Sequence, residues 1–191
     1  MNYRVGLYGG MGCGKSTVLN RLRESGAKVL DADKINAELP ANPAYIEAVG
    51  TLCPACVAGG AFDKSALRAW VLESEENRRA LMAVAHPLIR DVIEARTREG
   101  LWFVEISVYT EGFMTFDEGW HVVCAPERQL ARILSRGGWT EKEAAKLIKV
   151  QGENGLAPAD ALLIVNDGSI ADLEARVDEL YRGLVMRLGA Q

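Results

Sequence analysis

The stretch Gly9-Gly10-Met11-Gly12-Cys13-Gly14-Lys15-Ser16-Thr17 decides how the sequence is interpreted. It follows an apolar run over residues 5–8, which predicts a buried strand, and it precedes a segment whose apolar residues Val18, Leu19 and Leu22 fall on one side of a helix. A glycine, four residues, a second glycine, a lysine and a hydroxyl residue form the pattern of a phosphate-binding loop, which joins a strand to a helix. The sequence therefore predicts phosphate binding at this position.

The glycines and the polar residues of this stretch have separate tasks in that interpretation. Glycine lets consecutive backbone N–H groups turn toward one anion, because a Cβ would block both the backbone angles and the close approach. Lys15 would neutralise the β- and γ-phosphates, the Ser16 hydroxyl would bind Mg²⁺, and Thr17 would lie close to the phosphates. The positive end of the following helix adds to the attraction. We expect the nucleotide to be bound by Gly9, Gly10, Gly12, Cys13, Gly14, Lys15, Ser16 and Thr17.

The stretch has two other interpretations. It could be a glycine-rich turn without a ligand, although chance produces this pattern in a chain of 191 residues only about once in a hundred. A dinucleotide fingerprint begins at Gly10-Met11-Gly12, but its third glycine would fall on Lys15, so its spacing fails. Because the helix N-terminus next to Cys13 would favour a thiolate, we also expect alkylation of Cys13 to inactivate the protein and MgATP to protect it.

Composition limits the class of protein. A chain of 191 residues with 49% hydrophobic and 25% charged residues suits one α/β domain and argues against disorder. The net charge of −4 gives no sign of general binding to nucleic acid or to a membrane surface, so we expect neither as a partner. No run approaches the ~18 apolar residues of a membrane helix and no signal peptide is recognised, so we expect a cytoplasmic protein.

Four cysteines fit a reducing compartment, and Cys53-Pro-Ala-Cys56 is the pair that raises the question of metal or redox chemistry. A zinc site would need two further ligands at suitable spacing. The remaining candidates are scattered singly along the chain: Cys13, His86, His121 and Cys124. We therefore expect a helix-turn segment there that holds two small side chains.

Strand-like and helix-like segments alternate along the chain, which implies an α/β fold with a doubly wound, mostly parallel sheet. After the first strand, the expected strands are residues 27–30, 101–106, 121–125 and 161–165. Residues 34–100 are too long for a simple crossover and predict a helical substrate-binding insertion, with helices at 43–49, 64–73, 76–84 and 87–98. We expect a single domain over residues 1–191, with a lid region at about 127–158. Later helices are expected to begin at Pro126, at the capping box of Thr140 and Glu143, and at Ser169.

Three carboxylates are expected near the phosphates. Asp31 and Asp33 follow the second strand, which places them beside the loop if that strand neighbours the first. Asp33 is the expected catalytic base, which would accept the proton of the acceptor hydroxyl, while Asp31 would help to position the loop. Asp33 could instead serve only as a helix N-cap. Glu105 ends an apolar run, where it would contact Mg²⁺ through water or be a solvated strand end.

A basic stripe is expected on one later helix, because Arg128, Arg132 and Arg136 follow each other at four-residue spacing. Gly137-Gly138 would form a hinge-like break after it. In nucleoside and nucleotide kinases a helical lid brings arginines onto the transferring phosphoryl group, so Arg132 and Arg136 are the expected lid residues. A solvated charged face is the alternative. The chain contains no Asn-Lys-x-Asp guanine motif, which argues against a GTPase.

Together these residues resemble the dephospho-coenzyme A kinase family. The likeness spans nearly the whole chain and rests on Gly9 to Thr17, Asp31-Ala32-Asp33, Phe62-Asp63 with Leu67-Arg68, His86-Pro87-Leu88-Ile89, and Asn166. The resemblance implies a P-loop kinase with a helical substrate subdomain and a lid, which uses ATP and Mg²⁺ to phosphorylate the ribose 3′-hydroxyl of dephospho-CoA. Asp33 matches the family's catalytic base. The acceptor would be contacted by Asp31, Arg68, His86 and Arg90.

The chain departs from the family pattern in two places. Ser107-Val108-Tyr109-Thr110 stands before Glu111, where the family usually has a Pro-Leu-Leu run before a glutamate. Residues 152–160 lack the basic residues that the family tends to carry after a glutamine like Gln151, and Ala159-Asp160 lies one residue further from Asn166 than usual. Fewer lid cations would slow transfer without changing the substrate. A kinase for another small molecule and a nucleotide-binding regulatory module remain open as functions, and the oligomeric state is undetermined.

Overall fold

The computed structural model describes residues 1–60, 62–107, 110–153 and 156–189. Its strands are β1 (Asn2–Tyr8), β2 (Lys28–Asp31), β3 (Gly100–Glu105), β4 (Glu118–Val123) and β5 (Leu162–Val165). They form one sheet in the order β2-β3-β1-β4-β5, and neighbouring strands pair in parallel. The expected α/β fold is confirmed. Each predicted strand is present, with its ends shifted by up to three residues because strand ends are weakly marked in a sequence.

Helices occupy most of the remaining described chain. They are α1 (Lys15–Glu24), α2 (Ala32–Glu38), α3 (Pro43–Leu52), α4 (Lys64–Glu73), α5 (Glu75–Arg96), α6 (Pro126–Ser135), α7 (Glu141–Glu153) and α8 (Ile170–Gly189). Short 3₁₀ turns cover Leu39–Ala41 and Pro54–Gly60. Within the described ranges, no helix combines the length and the apolar character that crossing a membrane requires.

The predicted starts of three helices are confirmed by their caps. Thr140 and Glu143 form a capping box before α7, since the Thr140 N–H donates to Glu143 Oε2 at 2.9 Å and the Glu143 N–H donates to the Thr140 hydroxyl at 3.3 Å. Ser169 and Asp172 repeat this arrangement before α8, with the Ser169 N–H 2.8 Å from Asp172 Oδ2. Pro126 lies in the first turn of α6, where its missing N–H leaves no bond unmade.

Helix α5 corrects one prediction. The sequence predicts two helices here, 76–84 and 87–98. Pro87 at the start of the second is compatible with a break, because proline has no N–H to donate and crowds the preceding turn. The structure instead has one helix from Glu75 to Arg96, with Pro87 inside it. Ala85, Ile89 and Ile93 continue the buried face across the proline, and the helix packs against α2, α3 and α4. Burial of this continuous face outweighs the missing hydrogen bond.

One face of the sheet packs against α1 and α8. The buried cluster consists of Val5, Leu7, Cys13, Val18, Leu19, Leu22, Phe103, Trp120, Val122, Ile164, Leu173, Val177 and Leu184. The Phe103 and Trp120 rings pack with their centroids 5.0 Å apart. Burying one large side chain of this kind contributes about 1.5–3 kcal/mol, so the cluster holds β1 firmly at the centre of the sheet. The loop that follows β1 is thereby anchored at both ends.

The chain divides into two compact units, Met1–Asp31 with Glu99–Gln191, and Ala32–Arg98. The first unit contains the sheet. The second is helical, and its buried side chains include Ile35, Tyr45 and Val49. Its bounds lie within two residues of the insertion expected at 34–100. A single kinase domain with that insertion and a lid at about 127–158 stays a prediction.

Cys53 and Cys56 differ from the expectation of two separate small side chains. Their sulfurs are joined in a disulfide, and both residues are buried. The local backbone explains the pairing: the Cys56 N–H donates to the Cys53 carbonyl at 2.9 Å, and this turn brings the two Cα atoms to 5.5 Å. That separation lies within the usual disulfide range.

Candidate active site

The predicted phosphate loop connects the central strand β1 to helix α1. Strand β1 ends at Tyr8, and α1 begins at Lys15 with Gly14 as its N-cap. Strands β3 and β4 flank β1 on either side, so the loop lies at the carboxyl edge of a parallel sheet, where ligands of such folds bind. The sequence therefore placed the loop correctly between a strand and a helix.

Two glycines of the loop are required by both backbone angle and space. Gly12 has φ 82°, and a Cβ there would lie 2.9 Å from the carbonyl oxygen of Gln129. Gly14 has φ 104°, and a Cβ there would collide with the side-chain amide of Asn166. A side chain at either position would thus strain the backbone and displace a neighbour. The loop is therefore packed closely against Gln129 and Asn166.

Lys15 begins the helix, and its ammonium group donates to the Gly9 carbonyl at 2.7 Å across the mouth of the loop. Ser16 is exposed and Thr17 is half-buried in the same first turn. His121 on β4 lies close enough to Lys15 to respond to its charge. Burial, and secondly the charge of Lys15, lower the pKa of His121, so its imidazole is neutral near pH 7.

Three side-chain amides hold the backbone of the loop from outside. The Met11 N–H donates to Gln151 Oε1 at 3.2 Å, and the Met11 carbonyl accepts from Gln129 Nε2 at 2.8 Å. The Cys13 carbonyl accepts from Asn166 Nδ2 at 2.7 Å. Because Gln129 and Asn166 are buried, water cannot replace their hydrogen bonds without disturbing the packing.

Arg132 and Arg136, the expected lid residues, have different surroundings. Arg132 on α6 is half-buried and donates through Nη2 to the Asn166 backbone carbonyl at 3.1 Å. Its Nη1 is buried and has no hydrogen-bond partner among the described residues. Arg136 is exposed and caps the end of α6, after which Gly137 and Gly138 take positive φ values of 75° and 79°. Arg132 thus supports the loop through Asn166, while Arg136 lies at the predicted break.

Cys13 is less accessible than its place in the loop suggests. Its side chain is only 3% exposed, and its Sγ lies 3.8 Å from the Sγ of Cys124. Burial, and secondly the neighbouring Cys13, raise the pKa of the Cys124 thiol to about 12. Cys13 can therefore offer a nucleotide its backbone rather than its thiol.

The three candidate carboxylates lie on three different elements, β2, β3 and α2. Asp31 and Glu105 end the adjacent strands β2 and β3 and are partners in the strand register. Two carboxylates thus stand side by side at the carboxyl edge of the sheet. The expectation that the second strand neighbours the first is wrong, because β3 lies between β2 and β1. Glu105, rather than Asp31, therefore ends the strand that pairs with β1. Asp33 lies inside the first turn of α2, which begins at Ala32, so Asp33 is not the residue that precedes the helix as the N-cap alternative requires.

The remaining expected acceptor residues lie in the helical unit. Arg68 is an exposed residue of α4, and His86 and Arg90 stand one turn apart on α5. Burial lowers the pKa of His86 below its usual value. Both segments that depart from the family pattern lie partly outside the described residues. The first lacks a description of Val108 and Tyr109, and the second lacks one of Asn154 and Gly155.

Magnesium would have to be held jointly with a nucleotide. Within the described ranges, no group of three or more His, Cys, Asp or Glu residues could bind a metal alone. Mg²⁺ characteristically takes one or two protein oxygens together with phosphates and water. The exposed Ser16 hydroxyl and the Glu105 carboxylate at its strand end fit that partial role.

The sequence did not identify Gln129 as a functional residue. Gln151 was named only as the glutamine that precedes the divergent segment 152–160. One signal was available for Gln129: it lies four residues before the buried Ile133, so it belongs to the apolar face of α6. A polar residue on such a face needs a buried partner. No local signal identifies that partner as the Met11 carbonyl, since the two residues are 118 positions apart.

Comparisons with known proteins agree with this geometry. The family model for dephospho-CoA kinase matches residues 3–172. A protein named dephospho-CoA kinase from Aromatoleum aromaticum is 35% identical over an alignment of 197 positions that includes 94% of this chain and 93% of that protein. The structure of TT1252 from Thermus thermophilus has a TM-score of 0.78 at 29% identity and covers 96% of this chain and 98% of its own. Dephospho-CoA kinase from Campylobacter jejuni shares the fold, with a TM-score of 0.68 at 23% identity over 100% of both chains. The chain therefore belongs to the dephospho-CoA kinase family.

Proposed function

We propose that this chain transfers the γ-phosphoryl group of ATP to the ribose 3′-hydroxyl of dephospho-CoA, giving coenzyme A and ADP. The observation that carries the proposal is the family match over residues 3–172, which includes a phosphate loop built at the carboxyl edge of a parallel sheet. The acceptor and the reaction are inferred from membership of the family. The loop supplies the place for the nucleotide.

The loop residues would bind and orient the triphosphate. Backbone N–H groups and the N-terminus of α1 provide positive potential, and Gly12 and Gly14 keep Cβ atoms out of the loop. Lys15 exchanges the Gly9 carbonyl for phosphate oxygens, which are stronger partners because they are charged. Phosphoryl transfer needs little covalent chemistry from the protein, so this positioning and charge balance account for most of the catalysis.

Magnesium would supply charge neutralisation on the β- and γ-phosphates. Ser16 would hold it directly and Glu105 through water, with Asp31 beside Glu105 at the same sheet edge. These residues orient the nucleotide for in-line transfer.

Asp33 would accept the proton of the 3′-hydroxyl as the hydroxyl oxygen attacks phosphorus. Arg68 and Arg90 would attract the phosphates of the acceptor through their charge, and His86 would contact the acceptor as a neutral side chain. Arg136 and Arg132 would balance the charge of the transferring group, Arg136 from its exposed position and Arg132 through the buried Nη1 that has no partner within the described chain.

Two alternatives make different predictions. A kinase for another small molecule would release ADP with a different acceptor, and a regulatory module would bind ATP without releasing ADP. The test measures ADP release with MgATP across dephospho-CoA, adenosine, AMP, shikimate and gluconate. We expect turnover with dephospho-CoA alone. Turnover with another acceptor, or tight ATP binding without ADP release, would contradict the proposal.

A further inference from the structure

Met11 is the residue of the phosphate loop whose backbone is held most completely by side chains. Its N–H donates to Gln151 Oε1 at 3.2 Å and its carbonyl accepts from Gln129 Nε2 at 2.8 Å. Gln129 belongs to α6 and Gln151 to α7, and these two helices pack against each other. Two helices that follow the loop by more than a hundred residues thus meet at one of its residues.

Backbone polarity determines how each glutamine must point. An N–H can only donate, so Gln151 must present its oxygen to Met11, and a carbonyl can only accept, so Gln129 must present its nitrogen. Each glutamine therefore uses one defined half of its amide. An apolar side chain of the same length at either position would leave a Met11 group without its partner.

Gly10 provides the space for both glutamines. A Cβ at Gly10 would lie 2.7 Å from Gln129 Nε2 and 3.1 Å from Gln151 Oε1. The phosphate-loop pattern permits any residue at this position, and the φ of Gly10 lies outside the left-handed region that favours glycine. Close approach of the two amides is therefore the structural reason for glycine here.

We propose that Gln129 and Gln151 are positioning residues for the nucleotide, which hold Met11 and so preform the phosphate loop. The inference rests on the proposed use of this loop for ATP. A loop that is already ordered pays less conformational entropy when the triphosphate binds. The same two hydrogen bonds tie the loop to α6 and α7, so movement of these helices changes the shape of the phosphate site.

The test replaces each glutamine with methionine, which keeps the chain length and removes the hydrogen bond. ATP affinity is measured at equilibrium without an acceptor, and exchange of the Met11 amide hydrogen is measured in the ligand-free protein. We expect Gln151→Met to weaken ATP binding about fivefold to tenfold, the effect of losing one hydrogen bond, and to abolish protection of the Met11 amide. In steady-state assays, the KM for ATP should rise by the same factor, while kcat and the KM for dephospho-CoA change less than twofold.

Asn20→Leu is the matched control, because it removes an exposed amide of α1 that bonds Arg23 of its own helix. ATP affinity of this variant should equal that of the wild type. If Gln129→Met does not fold, the half-buried Gln151 tests the proposal alone. Wild-type ATP affinity in Gln151→Met, or a Met11 amide that stays protected there, would overturn the proposal.

Gly10→Ala gives a second, independent test. In the otherwise wild-type protein, its methyl group should displace both amides and weaken ATP binding. In a Gln129→Ala background the loss of ATP affinity should be smaller, because the nearest obstructing atom is gone. Equal losses in both backgrounds would contradict the role of Gly10. ATP affinity and amide exchange are measured without turnover, so these results do not depend on the identity of the acceptor.

Discussion

At the residue scale, the backbone of the phosphate loop is held by hydrogen bonds from carboxamide side chains. Gln129, Gln151 and Asn166 together bind three backbone groups of Met11 and Cys13. A neutral amide can donate or accept without adding a charge, so it can hold the loop backbone without competing electrostatically for the anion. Lys15 is the cation of the loop, and its ammonium group donates to the Gly9 carbonyl.

Substitution of the two candidate aspartates, Asp31 and Asp33, distinguishes the base from a positioning group. Asp33→Asn keeps the size of the side chain but removes the proton acceptor, so we expect single-turnover ADP formation to fall about 10²-fold with ATP affinity nearly unchanged. Asp31→Asn is the matched control and should lose less. If Asp31→Asn is the slower enzyme, or if Asp33→Asn loses ATP binding instead, the base has been assigned to the wrong carboxylate.

Burial of the two free thiols changes the expected outcome of alkylation. Burial raises the pKa of the Cys124 thiol to about 12, so this thiol is protonated at pH 8, and Cys13 is 3% exposed. We therefore expect iodoacetamide to label neither residue of the native protein within minutes. Mass spectrometry before and after unfolding checks this, with labelling of both thiols in the unfolded chain as the control. Rapid labelling of Cys13 in the native protein would contradict this expectation and support a reactive thiolate beside the helix N-terminus.

Two helices show, at the scale of the element, how tertiary contacts override local signals. Helix α6 was expected to carry lid arginines, yet Gln129 and Ile133 of its buried face pack against Gly12 of the loop. One helix can therefore support the loop with its inner face and present Arg136 from its exposed end. Helix α5 runs through Pro87 because its apolar face is buried on both sides of the proline.

We therefore expect Pro87 to lower the stability of α5. Pro87→Ala restores one helical N–H and relieves crowding of the preceding turn, so we expect the free energy of unfolding to rise by about 1 to 3 kcal/mol. Urea unfolding measures this. Asp91→Ala, at an exposed position of the same helix, should change the value by less than about 0.5 kcal/mol. A loss of stability in Pro87→Ala would mean that the packing of α5 depends on a bend at the proline.

An ion pair joins helices from the two ends of the chain at the scale of the whole molecule. Arg21 of α1 donates through Nε to Asp178 Oδ1 of α8 at 2.8 Å, and the Ser25 hydroxyl donates to the same oxygen at 3.2 Å. The hydrogen bond from Arg21 is the largest cause that lowers the pKa of Asp178 below its usual 3.8. The first and last helices are thus tied together beside the sheet that they cover.

This pairing predicts a pH-dependent contribution to stability. The unfolded carboxyl group takes up a proton near its usual pKa while the folded one stays ionised, so the contribution is fully present above about pH 5 and is lost as the pH falls through the lowered folded value. Asp178→Asn should therefore be less stable than the wild type at pH 7, and the difference should close on acidification. Urea unfolding from pH 7 to pH 3 checks this, with the exposed Asp160→Asn as the control. A difference that is as large at pH 3 as at pH 7 would assign the loss to packing instead of charge.

The sequence by itself determined the phosphate loop, the alternation of strands and helices, and the family resemblance. The motifs behind them are local: a glycine at a left-handed φ, a lysine at a helix start or a capping box is encoded within a few neighbouring residues, and the resemblance is a series of such short motifs. The starts of α7 after Thr140 and of α8 after Ser169 could be predicted for the same reason.

Tertiary structure alone decided which distant groups complete the loop. Gln151 and Met11 are 140 positions apart, and Asn166 and Cys13 are 153 positions apart, so no periodicity or motif connects them. The continuity of α5 through Pro87 likewise depends on burial against other helices rather than on its own residues. A hydrogen bond of this kind exists only once the sheet has set the register of β1 and β4 and the helices have packed around it, because only then do the donor and acceptor come within reach.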